Sequence, residues 1–219
     1  MFDSLPSNTS RADVLRLLVR HLLLHIAMKE SKMALLLGHT TTALAAVTLA
    51  EVANGRGYSV PWQVDDGRFP ICTYSDASAG SPSTVLSRTE FPVHFPLREL
   101  FKNELNTYIE FTPSLAELLP PAQETKATSV VSHKDISIEE VMARYFDGVE
   151  GSFPGIVSNV VRTTGKLDRV QGHGHCGLCG VTLDEQGDSR WAGELGEDES
   201  ERNHNVQNLC YGCKRTLNG

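Results

Sequence analysis

The stretch Met33-Ala-Leu-Leu-Leu37-Gly38-His39-Thr40-Thr41-Thr42, running into the alanine-rich segment Ala43–Asn54, decides the fold class. A short continuous apolar run is what a strand covered on both faces requires. The Gly/Thr turn ends that strand, and Gly55 and Gly57 stop the helix behind it as C-cap glycines do. Upstream, Ser10-Arg-Ala-Asp13 reads as a capping box opening a helix. Its apolar residues Val14, Leu15, Leu17, Leu18, Leu22 and Ile26 keep helical spacing, with Arg16 and Arg20 on the opposite side. Helix, strand, turn and helix is the rhythm of a parallel α/β sheet. Ligands of such sheets sit beyond the carboxyl ends of the strands. Gly38, His39 and Thr40 therefore form a candidate anion or nucleotide turn, with backbone N–H groups at a helix N-terminus.

Further along, residues 65–90 are polar and rich in Asp, Ser, Gly and Pro, which reads as a surface loop. Phe91-Pro-Val-His-Phe95 is a second strand candidate whose Pro92 leaves a donor position unpaired. An amphipathic helix is expected over Arg98–Phe111, through Leu100, Phe101, Leu105, Tyr108 and Ile109. Residues 119–133 read as a flexible connection. Ser137-Ile-Glu-Glu140 is a second capping box, and the helix it opens carries Val141, Met142, Tyr145, Phe146 and Val149 on one side. Pro154 suits the first turn of a last helix, reaching to about Leu167.

Two knuckles follow, Cys176-Gly-Leu-Cys179 and Cys210-Tyr-Gly-Cys213. A C-x-x-C loop turns both thiolates toward one point, and two such loops supply the four sulfurs that tetrahedral zinc prefers. The 30 intervening residues are a long insertion, but loop closure costs free energy only logarithmically with length. Disulfides would need an oxidising compartment, and residues 1–10 lack the charged-then-apolar order of a signal peptide. A thioredoxin-like pair would open a helix after a strand, whereas Cys176 follows the flexible run Gly172-His173-Gly174-His175. The fifth cysteine, Cys72, stands alone with no neighbouring basic group to lower its pKa. The expected organisation is an α/β domain over 1–170 and a small zinc-binding module over 171–219, with a mobile acidic segment at 184–204.

Composition narrows the function. Apolar residues make up 40% of the 219 and charged residues 21%, enough to bury a core. No run approaches the roughly 18 apolar residues needed to cross a bilayer, so the cytoplasm is the default and no membrane role is expected. The formal charge is −7, of which −3 falls on residues 1–170 and −4 on 171–219. A chain gripping nucleic acid alone would carry the opposite sign, so any such role needs a local patch or a partner. Arg16, Arg20 and Arg98 are the candidate phosphate-contacting residues for such a patch, with a plain solvated helix face as the alternative.

Several of these segments share a resemblance. Leu35-Leu-Leu-Gly38-His39 before a helix resembles the strand and turn of the PP-loop tRNA-thiolating ATPases, and Phe95-Pro96-Leu97-Arg98-Glu99 ahead of Glu104 resembles their later element. Arg11–His25, Asn54-Gly-Arg-Gly57, Phe153–Leu167 and Leu209-Cys-Tyr-Gly-Cys213 together resemble the cytoplasmic tRNA 2-thiolation protein 2 family, of fungal type. The resemblance implies a partial adenine-nucleotide-hydrolase-like parallel layer. It implies participation in replacing oxygen by sulfur at C2 of the wobble uridine in tRNAs for Lys, Glu and Gln. It also implies a heterodimer with a paralogous catalytic subunit and, indirectly, a ubiquitin-like sulfur carrier.

Two departures from the family pattern shape the expectation. The pyrophosphate-binding S-G-G-x-D-S loop and the segment expected to hold it do not occur, and Ser75–Ser83 has the right residues in the wrong order. The superfamily's catalytic members place an aspartate after Gly-His, where this chain has Thr40-Thr41-Thr42. Activating uridine needs phosphate-binding N–H donors and usually metal-binding carboxylates, so a non-catalytic subunit is expected and ATP has only a half-formed turn to bind. The alternatives are an ATP-dependent tRNA sulfurtransferase acting by itself and a zinc-ribbon protein-interaction adaptor.

Overall fold

The computed structural model describes residues 4–74, 85–118, 136–169, 174–183 and 209–218. Helix α1 spans Asn8–Lys29 and begins earlier than the sequence suggests. Its cap is Ser7, whose Oγ accepts from the Ser10 N–H, while Ser10 lies buried inside the helix. The apolar run beyond it narrows to β1, Leu35–Leu36, and Thr40 caps helix α2, Thr41–Ala53. Asn54 ends α2, and Gly55 follows in the left-handed region at φ +79°, where an L side chain is strained. A 3₁₀ turn over Gly57–Ser59 leads into the short helix α3, Val60–Val64.

Residues 65–90 are not one loop. They hold β2, Gly67–Tyr74, and the start of β3, Val85–His94. The reason is a period-two signal: Phe69 and Ile71, two apart, are both buried. The strands form one sheet in the order β1-β3-β2, with β1 and β3 parallel and β2 and β3 antiparallel. The sheet is therefore mixed rather than parallel. Pro92 is accommodated in its central strand because the β1 ladder begins one residue later, at Leu35↔Val93.

Helix α4 spans Lys102–Glu110, four residues later than expected, because Arg98 and Leu100 are taken up in turns closed on Phe95 and Leu97. The short α5 covers Pro113–Ala116, α6 covers Ile138–Glu150 with Ser137 as its cap, and α7 covers Pro154–Thr164. The C-terminal helix α8 covers Tyr211–Asn218. Ala-rich α2 packs against α3, α6 and α7, its small side chains letting the neighbouring backbones approach. Leu44, Ala45, Phe146, Val157, Val161, Phe69, Ile71, Val93 and Phe95 share one buried cluster, and the four knuckle cysteines belong to it too. The segments 119–133 and 184–204 and the Ser75–Ser83 run lie outside the described residues. No helix among the described residues is long and apolar enough to cross a membrane.

Candidate metal centre

The first knuckle is a tight backbone turn. The Gly180 N–H donates to the Cys176 carbonyl (2.9 Å), the Cys176 N–H donates to Val181 (2.9 Å), and His175 bridges Thr182. Gly180 takes φ +73°, and a Cβ there would lie 2.9 Å from the His21 ring. The second knuckle opens helix α8, with the Lys214 N–H closing on the Cys210 carbonyl (2.9 Å). The Cys210 N–H then points at Cys176 Sγ (3.4 Å). The backbone thus brings Cys176, Cys179, Cys210 and Cys213 together, all buried, with their sulfurs within 4.8 Å of one another.

All four are free thiols. Cys179 Sγ and Cys210 Sγ are 3.9 Å apart, far beyond the bond length of about 2.05 Å in a disulfide. Four sulfurs about 2.3 Å from a central zinc would stand about 3.8 Å from one another. The spacing and the all-sulfur donor set fit such an ion. Cys176 accepts from Cys179, Cys210 and Cys213 and is driven well below the usual thiol range. Cys179 and Cys213 are pushed up, chiefly by their hydrogen bonds to Cys176. A buried four-sulfur cluster ionises fully only around a cation.

The surroundings are polar on one side. Arg56, with no exposed surface, places Nη1 4.0 Å from Cys213 Sγ. Its Nε donates to Glu51 (2.9 Å), and Nη2 donates to Glu51 (3.0 Å) and to Asp13. Asp13 also accepts from Thr216 Oγ1 of α8 (2.8 Å), and both carboxylates pair with Arg16. Burial alone would lower the Arg56 pKa, but Glu51 and Asp13 outweigh it and raise it, so the guanidinium stays charged. Burial and then the neighbouring Cys210 push the Tyr58 hydroxyl up. Glu51 and Thr216 were not singled out from the sequence, Asp13 was read only as the acid of a capping box, and Arg56 only as part of the Asn54–Gly57 resemblance. The available signal was a charge inside each of two apolar patterns, Asp13 beside Val14 and Leu17, and Glu51 in the alanine-rich helix.

The three arginines expected to face tRNA are tied internally. Arg20 is buried: its Nη1 donates to the Gln63 carbonyl (3.1 Å) and Oε1 (2.7 Å), its Nη2 donates to the Trp62 carbonyl (3.0 Å), and the guanidinium lies 4.4 Å above the Phe69 ring. Burial, then the nearby Arg16 charge, push its pKa down to about 9. Arg98 pairs with Asp65 (3.0 Å). The polar side of α1 accordingly faces inward. Of the six apolar residues read at helical spacing, only Val14 and Leu17 are buried, while Leu15, Leu18, Leu22 and Ile26 are exposed.

The Gly38–Thr42 turn does lie beyond the carboxyl end of β1, but its groups are largely engaged. Thr40 Oγ1 accepts from the Ala43 N–H (3.3 Å), and the Thr41 N–H donates to Leu100 (2.9 Å). Thr41 Oγ1 donates to the Arg98 carbonyl (2.6 Å), and Thr42 Oγ1 donates to Glu150 (2.5 Å). His39 packs edge-on against Phe95, and burial holds it below the usual imidazole range. Beside Thr41 is a cavity of about 300 Å³ whose lining includes Arg98, Phe101, Ser158 and Arg162.

The family model for cytoplasmic tRNA 2-thiolation protein 2 matches residues 137–201. A protein of that name from Phaeosphaeria nodorum is 37% identical over 99% of this chain and 54% of its own length. Those from Pyrenophora tritici-repentis and Aspergillus fumigatus are each 34% identical, over 99% and 97% of this chain and 54% and 52% of their own lengths. No solved structure matches. The chain spans about half the length of the curated relatives it matches, and over that span it belongs to the cytoplasmic tRNA 2-thiolation protein 2 family.

Proposed function

We propose that this chain is the non-catalytic subunit of a cytoplasmic complex that thiolates C2 of the wobble uridine in tRNAs for Lys, Glu and Gln. Its partner is a paralogous catalytic subunit that receives sulfur from a ubiquitin-like carrier. The observation that carries the reading is the self-engaged Gly38–Thr42 turn, in a chain related to proteins named for cytoplasmic tRNA 2-thiolation. Adenylating a uridine carbonyl calls for N–H donors aimed at phosphate and for carboxylates that hold a metal. Here the Thr41 N–H and the hydroxyls of Thr40, Thr41 and Thr42 are engaged by neighbouring groups, and Glu150 accepts from Thr42. That arrangement supports a scaffold over an ATP-using centre.

The four cysteines are assigned to one structural zinc. Cys176, Cys179, Cys210 and Cys213 supply all four donors from a buried cluster, which leaves no protein-free position for a reacting water or substrate. The contribution of the ion is cross-linking: it would join the turn at Gly180 to helix α8.

The test is a deletion strain complemented with this chain or with its Cys179→Ser variant, with wobble 2-thiouridine quantified by mass spectrometry of digested tRNA. The expected result is loss of the thiolated nucleoside on deletion, restored by the wild-type chain. Unchanged 2-thiouridine on deletion overturns the reading, and robust ATP cleavage by the isolated chain overturns its non-catalytic part.

A further inference from the structure

The cavity beside Thr41, about 300 Å³ in volume, is lined by none of the four cysteines. Helix α7 presents Gly155, Ser158 and Arg162 to it, three and then four residues apart, which is one helical face. The turn that leads into α4 adds Arg98, Glu99 and the half-buried ring of Phe101. A Cβ on Gly155 would meet nothing within 4 Å, so that part of α7 borders open space. Two cations and an aromatic ring thus converge on one hollow.

The two arginines differ in what they already meet. Arg98 faces Asp65 at 3.0 Å, Glu99 at 3.8 Å and Asp66 at 4.0 Å. Asp65 and Asp66 also feel the charge of Arg169, so two aspartates are matched by two guanidiniums. Glu99 is the one carboxylate in the lining, and its side chain is 82% exposed to water. Arg98 Nη2 reaches the cavity beside Gly165, where an added Cβ would lie 3.6 Å from it. Arg162 stands one turn before Gly165 and is exposed. Among the described residues it makes no ion pair and no side-chain hydrogen bond. In a chain of net charge −7, it is a local cation left to meet an anion.

We infer that this cavity takes one phosphodiester of a tRNA backbone, paired with Arg162 and flanked by Arg98. A single uncompensated guanidinium matches the single negative charge of a phosphodiester, and its planar fork fits two phosphate oxygens. The attached sugar extends toward Phe101 and Gly155, and aromatic side chains are what unpaired nucleotides pack against. A nucleoside triphosphate fits less well. It carries more charge than Arg162 can meet, and its Mg²⁺ would call for carboxylates that the lining lacks beyond Glu99. The volume also lies at the lower end of the roughly 300–1,000 Å³ of small-molecule pockets. A contact of this kind positions tRNA without reading its sequence.

Taking tRNA as the source of the phosphate rests on the functional reading above, and the experiment separates the two. Fluorescently labelled tRNA for Lys is titrated with the full chain, alone and with the purified paralogous subunit, over a range of salt concentrations. The variants are Arg162→Gln, which removes the cation, and Gly155→Leu, which fills the hollow. Arg144→Gln removes an equal charge from an exposed residue outside the lining, and every variant is checked for an unchanged melting temperature. Labelled AMP and ATP are titrated alongside. The expected result is a fall in tRNA affinity of about fivefold to tenfold in Arg162→Gln, with a salt slope shallower by about 1. Gly155→Leu should lose affinity as well, Arg144→Gln should bind as wild type does, and neither nucleotide should bind. Wild-type affinity and slope in both folded cavity variants overturns the inference, as does an equal loss in Arg144→Gln or no tRNA binding at all. Nucleotide binding that Arg162→Gln abolishes assigns the cavity to a free nucleotide and also overturns it. Loss of 2-thiouridine on deletion would leave the functional reading standing in each of those cases. Unchanged 2-thiouridine beside Arg162-dependent tRNA binding would instead keep the cavity and sink that reading.

Discussion

The Arg56 guanidinium stands 4.0 Å from the Cys213 sulfur, so the cysteine cluster and the α/β layer share one buried cation. The same group holds Glu51 of α2 and Asp13 of α1, and Thr216 of α8 donates to Asp13 from the far side. Two carboxylates, Asp13 and Glu51, meet two guanidiniums, Arg16 and Arg56, and a thiolate cluster borders them. The cation is therefore placed to offset part of the negative charge that a four-thiolate centre carries.

Replacing Arg56 by Met keeps much of the volume and removes the charge. Asp13 and Glu51 are then left buried with Arg16 as their remaining cation. Breaking a buried ion pair from one side costs about 3–5 kcal/mol, because the surviving charge is uncompensated. Urea denaturation should show a loss of that size, and the variant should also give up its metal to a chelator faster than wild type. A loss below about 1 kcal/mol would mean that the network contributes little to stability.

One equivalent of zinc per chain is the expected content by elemental analysis, falling to near zero in Cys179→Ser. A protonated thiol is a weak ligand, so retention should weaken as pH drops. The four cysteines share a buried cluster with Leu17, Leu24 and Trp62. Metal loss should therefore raise hydrogen exchange in α1 and α3 as well as in the knuckles. Less than half an equivalent of zinc in carefully prepared protein would count against the site.

How far the sequence announced this arrangement depended on range. Most local signals were faithful: Ser137 caps α6, Thr41–Ala53 is a helix, and each C-x-x-C forms its own turn, whereas the capping box read at Ser10 gave way to Ser7. The facing of α1 was not legible, because apolar residues run around the whole helix and spacing alone cannot say which side meets the core. Arg20 shows the limit. Its partners are the carbonyls of Trp62 and Gln63, more than 40 residues away. Strand β2 was hidden by its polar surroundings, though Phe69 and Ile71 carried the alternation.

His39 supplies a pH dependence of definite sign. Burial, reinforced by the charges of Arg20 and Arg16, holds its pKa in the folded chain below the ordinary value. The unfolded chain then binds the proton more readily, so stability rises with pH across this window. The stabilisation is fully present above about pH 6.5 and declines as pH falls through the lowered folded value. Replacing His39 by Gln should flatten the urea midpoint between pH 5 and pH 7 relative to wild type. Identical slopes would show that His39 does not set that limb.

Gly212 tests whether the second knuckle is seated on the helical layer. A Cβ at this position would lie 2.4 Å from Arg56 Cγ and 2.6 Å from the Asn54 carbonyl oxygen. The carbonyl belongs to backbone that ends α2, and Arg56 is held by Glu51 and Asp13, so neither can retreat without breaking a tie of the network. Across the same contact, Tyr211 lies over Gly55, which the left-handed backbone further fixes. Gly212→Ala should therefore push α8 outward. The expected cost is about 1–3 kcal/mol, as for overpacking a filled core. Because Cys210 and Cys213 flank the residue, the displacement should also speed zinc loss to a chelator. The Gly151→Ala variant is the control, since a Cβ there meets nothing within 4 Å. Wild-type melting temperature and wild-type zinc retention in Gly212→Ala would mean that the knuckle does not pack on Arg56 as described.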